Sequence, residues 1–165
     1  MSLNSPTLHM LCGKIASGKS TLAAKLAAPD HTVHLSEDTW LAALFADQMR
    51  TGPDYVRCAA KLLGIMGPHV TALLQAGVSV VLDFPANTVE TRAWMRDIVA
   101  NSAAVHQMHV VDVPDDVCLA RLRARNAQGD HAFAATEGQF HRFARYFQPP
   151  SPEEGFTIVM HDAEG

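Results

Sequence analysis

The stretch Gly13-Lys14-Ile15-Ala16-Ser17-Gly18-Lys19-Ser20 decides the reading of this chain. It fits the pattern G-x-x-x-x-G-K-[ST] and stands between an apolar run, Leu8 to Cys12, and a helical pattern, Lys19 to Ala28, that Pro29 stops. Strand, glycine loop and helix in that order give the pattern its physical meaning. Glycines at both ends let the backbone bend so that successive N–H groups converge, and the following helix adds the positive end of its dipole. Such a concavity suits phosphate oxygens. A glycine turn without a ligand would explain Gly13 and Gly18 but not Lys19-Ser20. Gly13 through Thr21 are therefore expected to cradle a nucleoside triphosphate, ATP, with Lys19 reaching the β- and γ-phosphates and Ser20 giving its hydroxyl to Mg²⁺. Lys14, within the same run, reads as a solvated loop lysine.

Outward from this loop, a second strand at Thr32 to Leu35 runs into Ser36-Glu37-Asp38, which can open a helix near Thr39. A helical pattern from Asp54 to Ala76 carries a break or kink at Gly67-Pro68 and stops at Gly77. Val78 to Asp83 is an apolar, β-branched run ending in a carboxylate, as a central parallel strand covered on both faces would be. Asn87-Thr88-Val89-Glu90 reads as a capping box opening a helix to about Ala100. A strand from Val105 to Val113 and a helix from Asp115 to Arg125 follow. A polar stretch, Asn126 to Glu137, precedes an aromatic helix around Phe140 to Phe147, and Phe156 to Met160 is the last strand. Strands alternating with helices predict an α/β fold: a P-loop three-layer sandwich with a five-stranded parallel sheet, ligands at the carboxyl ends of its strands and a helical lid at about 121–147.

Composition bounds the rest. The 165 residues suit one domain, 1–165, and 48% hydrophobic against 18% charged residues describes a chain that folds around a core. A net charge of -4 leaves no basic footprint for duplex nucleic acid. Cys12, Cys58 and Cys118 are odd in number and lack C-x-x-C spacing, which points to thiols in a reducing cytoplasm. No apolar run is long enough for a membrane helix, and the first ten residues have no basic flank of a leader. The nine histidines include no helical H-x-x-x-H pair, and His31 and His34 read as opposite-facing residues of the second strand, so the histidines are taken as scattered polar or packed side chains.

Several side chains gain meaning from the loop. Asp83 ends the strongest strand, where a P-loop protein places an acid near Mg²⁺. Asp38, after the second strand, falls on the same sheet edge and can take the proton of a substrate hydroxyl, with Glu37 its rival and helix-dipole capping the alternative for both. Arg121 and Arg125 share a helix face by their four-residue spacing, and five of nine arginines crowd between 121 and 145. An arginine on a lid can stabilise the charge that develops in phosphoryl transfer, which makes Arg121 and Arg125 the charge-stabilising candidates. Trp40, Phe45, Arg50, Tyr55 and Phe84, with acidic Glu37, Asp38, Asp47 and Asp54, fall on the acceptor side, where Trp40 and Phe45 read rather as core.

With these pieces placed, the chain resembles the small P-loop kinases of the AAA_33 type, relatives of polynucleotide kinase, zeta toxin, chloramphenicol phosphotransferase and gluconate kinase. The likeness rests on Gly13 to Ser20, Ser36-Glu37-Asp38, Val80-Val81-Leu82-Asp83 followed by Asn87 and Arg92, and Arg121-Leu122-Arg123-Ala124-Arg125. It implies Asp38 as the base, Arg125 over the phosphates, and Asn87 with Arg92 as substrate-side groups. The apolar Phe84-Pro85-Ala86 departs from a polynucleotide kinase. The expected function is an ATP- and Mg²⁺-dependent kinase acting on a hydroxyl of a small molecule or nucleotide, as monomer or homodimer. An ATP hydrolase or switch, an ATP-sensing binder without chemistry, and a polynucleotide 5′-hydroxyl kinase are the alternatives.

Overall fold

The computed structural model describes residues 5–129 and 135–162. Part of the expected lid, 130–134, and the ends of the expected 1–165 domain lie outside the described residues. Five parallel strands form the middle layer, β1 (Thr7–Cys12), β2 (Thr32–Ser36), β3 (Ser79–Pro85), β4 (Val105–Val111) and β5 (Ile158–His161), in the spatial order β2-β3-β1-β4-β5. Among the described residues six α-helices accompany them, α1 (Lys19–Leu26), α2 (Glu37–Phe45), α3 (Gly52–Gln75), α4 (Val89–Ser102), α5 (Asp115–Gln128) and α6 (Glu137–Arg145). This is the three-layer P-loop architecture that the alternation of patterns predicts.

The period-two alternation of β1 divides the core between two faces. Leu8, Met10 and Cys12 pack with Leu62, Met66, Val70, Met95 and Ile98 of α3 and α4, whereas Leu11 and Val81 meet Ala23 of α1 on the other face. The chain passes from β1 over β3 to β2 at the edge, returns to β3, then crosses to β4. The strand order thus reverses at β1, and the crevice beyond its carboxyl end is where an open α/β sheet binds ligand. Cys12 leads straight into that crevice.

α3 corrects the expected break at Gly67-Pro68, for it runs unbroken through Pro68. Proline removes one helical N–H and crowds the carbonyl four residues back, here that of Gly64. Burial on either side outweighs that cost: Cys58, Leu62, Met66, Val70 and Leu74 form an unbroken stripe at four-residue spacing against the sheet. Gly67 lies under the Trp94 indole, where a Cβ would come within 3.2 Å of its nitrogen. His31 also departs from expectation, since it precedes β2 in left-handed backbone (φ 59).

The C-terminal segment is bound to the body by Arg92, whose residue is fully buried. Its Nε donates to Glu154 at 2.7 Å and its Nη1 to the carbonyls of Ala86 (2.9 Å) and Gln148 (2.6 Å). Removing Glu154 would strand a buried guanidinium. Glu154→Ala is therefore expected to cost about 3–5 kcal/mol and lower Tm by about 10 °C, read by thermal unfolding at neutral pH. A Tm equal to that of the wild type would show that the carbonyls alone satisfy Arg92.

Three histidines are ordered together, which the scattered reading of the histidines does not contain. His9 Nδ1 lies 3.0 Å from His109 Nε2, and His109 Nδ1 lies 2.9 Å from His161 Nε2, in a row across β1, β4 and β5. A neutral imidazole has one donor and one acceptor, so His109 can bond both neighbours at once. Burial, reinforced by its two neighbours, pushes His109 down to about 4, which keeps this central ring neutral at pH 7.

Candidate active site

Gly18 (φ 107) and Ala16 (φ 61) adopt left-handed backbone, and together they turn the loop after β1 back toward α1. At Gly13 the reason for glycine is space: a Cβ there would come within 2.7 Å of Ser17 Oγ and 3.1 Å of the Val111 carbonyl. Lys19, from the first turn of α1, folds back over the loop and donates through Nζ to the carbonyls of Gly13 and Lys14, the latter at 2.8 Å. Burial pushes its ammonium down to about 8, while Asp83 foremost, and also Asp38, hold the charge on it. Ser20 and Thr21 are exposed beside it. Lys14 differs from the solvated residue expected of it: Nζ pairs with Asp115 at 2.8 Å and lies 5.5 Å from the Phe147 ring centroid.

The acidic residues come from the ends of the neighbouring strands. Ser36, last in β2, caps α2 by accepting from the Thr39 N–H at 3.3 Å, which starts the helix at Glu37 rather than near Thr39. Glu37 turns inward and is 5% exposed, and Tyr55 donates its hydroxyl to Glu37 Oε1 at 2.5 Å. Asp38, the next residue, is exposed. Burial raises Glu37 to about 7, opposed by the Tyr55 hydrogen bond and assisted by the charges of Asp38 and Asp83. Asp83, at the end of β3, lies with Oδ2 3.0 Å from His34 Nε2.

That raised value has a consequence for stability. A carboxyl whose folded pKa exceeds its free value of 4.5 favours the fold below pH 4.5, and this contribution is lost as pH rises through about 7. Glu37→Gln keeps an acceptor for Tyr55 and never ionises. Relative to wild type it is expected to gain on the order of 2–3 kcal/mol between pH 5 and pH 8.5, measured by urea unfolding at both values. A difference that does not change with pH would mean that Glu37 ionises freely in the fold.

Of the two arginines expected of the lid helix, Arg121 reaches the loop. Its Nη1 donates to the Ser17 carbonyl at 3.1 Å and would lie 3.7 Å from a Cβ placed on Gly18, so it braces the P-loop directly. Arg125, one turn on, is lowered by burial and raised by the charge of Asp38. Asp38 begins α2 just after β2, at the carboxyl edge of the sheet where the loop also lies. Phe140 of α6 packs with Cys118 and Leu122 of α5, and Ile15 and Ala16 of the loop lie against that cluster. Arg123, pointing elsewhere, pairs with Glu137.

The residues present fit a bound triphosphate. Ser17 Oγ, 3% exposed at the residue, and Arg125 Nε are buried polar atoms without a hydrogen-bond partner among the described residues, and they belong to the loop and to the lid helix. Such atoms are costly unless a ligand or water satisfies them. Among the described residues no cluster of three or more His, Cys, Asp or Glu is arranged for a metal. Mg²⁺ takes one or two protein oxygens and completes its shell with phosphate and water, and the Ser20 hydroxyl and Asp83 carboxylate would be hard oxygen donors of that kind.

Other expected substrate-side groups are placed differently. Asn87 and Arg92 do not face an acceptor: Arg92 is the buried brace described above, and Asn87 bonds both backbone groups of Gly13. The expected capping box is replaced by Thr88, whose hydroxyl accepts from the Thr91 N–H at 3.2 Å. Phe84 is buried, while Trp40, Phe45 and Tyr55 pack against the main core. Arg50 and Asp47 are exposed, and half-buried Asp54 is held by Arg57 and by the N–H groups of Arg50 and Thr51.

A family model described as an AAA domain, AAA_33, matches residues 8–150, which take in the loop, the three carboxylates and both lid arginines. The chain belongs to the AAA_33 family. Solved structures similar to this AAA_33 chain include a candidate kinase from Chloroflexus aurantiacus, 22% identical over 96% of this chain and 85% of that one with a TM-score of 0.75. The APS kinase of Mycobacterium tuberculosis, solved with AMPPNP and APS, is 21% identical over 94% and 88% of the two chains with a TM-score of 0.61. A chain of the Pnkp1/Rnl/Hen1 RNA repair complex is 21% identical over 86% of this chain and 43% of that one, TM-score 0.63. These likenesses carry the fold, that of the small P-loop kinases. No curated protein matches the chain in sequence.

Proposed function

We propose that this AAA_33 protein is an ATP-dependent phosphotransferase that moves the γ-phosphoryl group to a hydroxyl of a small molecule or nucleotide. The observation that carries this reading is that exposed Asp38, at the start of α2 just after β2, lies at the same carboxyl edge of the sheet as the loop that leads into Lys19. A protein that only bound ATP would need the lysine but not the acid.

Chemically, the acceptor O–H gives its proton to Asp38, its oxygen forms a bond to the γ-phosphorus, and the bond from that phosphorus to the ADP oxygen breaks. Lys19 offsets the charge on the β- and γ-phosphates, and Arg125 stabilises the charge that spreads over the transferring group. Arg121 holds the Ser17 carbonyl and so the shape of the loop. Ser20 and Asp83 would hold Mg²⁺, whose charge would offset that of the phosphates. Closure of α5 and α6 over the loop would exclude water from the transfer.

A small acceptor fits better than a nucleic-acid strand. A strand binder needs a positive track and aromatic platforms. Here Trp40, Phe45 and Phe84 serve the core, Arg57, Arg92 and Arg123 are paired with carboxylates, and the net charge is -4. The APS kinase of the same fold, solved with APS, offers a precedent for a small acceptor in this architecture. The test is ADP release with neutral polyols, nucleosides and a 5′-hydroxyl oligonucleotide, each at low and physiological salt. Release that depends on a polyol or nucleoside supports the reading. Release that depends on the oligonucleotide and falls with salt would move the protein to the polynucleotide side, and release indifferent to every acceptor would make it a hydrolase.

A further inference from the structure

β1 and β3 pair in regular register from Leu8 to Met10, then shift so that Leu11 lies opposite Pro85. Proline has no N–H to continue the ladder. The next bonds are an Ala86 N–H to the Leu11 carbonyl at 3.0 Å and then a side chain: the Gly13 N–H donates to Asn87 Oδ1 at 2.9 Å, and Asn87 Nδ2 donates to the Gly13 carbonyl at 2.9 Å. One carboxamide thus replaces a peptide group of β3 just where β1 ends and the phosphate loop begins. The Gly13 carbonyl that it holds is also one that Lys19 Nζ donates to.

Asn87 is itself fixed from behind. Its carbonyl accepts from the Gln148 N–H at 2.8 Å, the Gln148 side chain accepts from the Val89 N–H at 2.9 Å, and Arg92 ties the carbonyls of Ala86 and Gln148 together. The segment after α6 therefore clasps the residues on both sides of Asn87.

We propose that Asn87 is a positioning residue for nucleotide binding: it sets the backbone of Gly13, and with it Lys19, in the orientation that receives the triphosphate. This rests on the reading of Gly13 to Thr21 as an ATP site. Without the carboxamide, Gly13 loses both bonds, and the loop must be ordered by the ligand, which weakens ground state and transition state alike. The acceptor's own affinity is expected to be untouched, because the Asn87 carboxamide is taken up on both sides by Gly13.

The experiment compares Asn87→Ala, Asn87→Asp and Lys19→Ala by calorimetric titration with MgATP, by KM and kcat for ATP and acceptor, and by thermal unfolding. Asn87→Ala is expected to raise Kd and KM for ATP about tenfold, with kcat and acceptor KM within about threefold of wild type, as the loss of two ordinary hydrogen bonds implies. Asn87→Asp keeps an acceptor for the Gly13 N–H but sets a carboxylate against the Gly13 carbonyl and close to where the triphosphate must lie. It is expected to weaken ATP more than alanine does at low salt, the gap closing as salt rises. A lower Tm with unchanged ATP affinity would overturn the proposal and make Asn87 merely structural, as would equal effects on kcat and both KM values. If Asn87→Ala does not fold, Asn87→Asp and Asn87→Ser carry the same comparison. Lys19→Ala separates the two readings, for unaltered ATP binding in that variant would remove the ATP site itself, whereas its loss beside normal Asn87 variants would remove only the present proposal.

Discussion

Lys19→Ala is expected to weaken MgATP binding by roughly 10²-fold or more and to remove measurable turnover. The reason lies in what Nζ now holds. It bonds the carbonyls of Gly13 and Lys14, so the ammonium neutralises two oxygen dipoles that line the floor of the loop. Alanine would leave those oxygens facing phosphate oxygens, and repulsion would add to the loss of attraction. Asp83 and Asp38, which sustain the charge on Lys19, would then be two carboxylates without that counter-charge beside an anionic ligand. Calorimetric titration and steady-state turnover check the expectation. Affinity within threefold of wild type would mean that the loop binds something other than a triphosphate.

Asp38→Asn is expected to lower turnover by about 10²- to 10⁴-fold while MgATP affinity stays within about threefold. The amide keeps the shape but cannot take a proton. Glu37 is less suited to the task, since one of its oxygens is already engaged by Tyr55 and its residue is buried away from a substrate. Asp38 is exposed at the carboxyl edge of the sheet, where the loop also lies. Turnover and titration of Asp38→Asn beside Glu37→Gln separate the two carboxylates. A larger loss of kcat in Glu37→Gln would move the base by one residue.

The parts of this fold that were legible in the sequence are those with local periodicity or a fixed spacing. The apolar run Leu8 to Cys12, the glycines of the loop and the apolar run up to Asp83 each name one element, and the structure has them there, with β3 running two residues past Asp83 to Pro85. Strand order then brings Asp38, Asp83 and the loop to one edge, because parallel crossovers leave every strand's carboxyl end on the same side. What was not legible depends on a distant partner. Pro68 reads as a breaker until the five-residue buried stripe of α3 is seen to hold both halves to the sheet. Asn87 has the sequence neighbours of a helix cap, yet its carboxamide is taken by Gly13, 74 positions away. Arg92 looks like a substrate-side cation, and only Glu154 and three backbone carbonyls make it a brace. The histidine row needs the register of three strands, which no single strand contains.

The most direct measurement follows the terminal phosphate itself. Wild-type protein and Lys19→Ala are incubated side by side with Mg²⁺, ATP labelled at the γ-phosphate, and a panel of polyols and nucleosides, and the label is traced. Recovery of label as a phosphate ester on one acceptor, with ADP in equal amount in the wild type and none in Lys19→Ala, is the expected result. Label found only as inorganic phosphate, or unaltered ATP in the presence of every acceptor, would contradict phosphoryl transfer to a hydroxyl as the function of this protein.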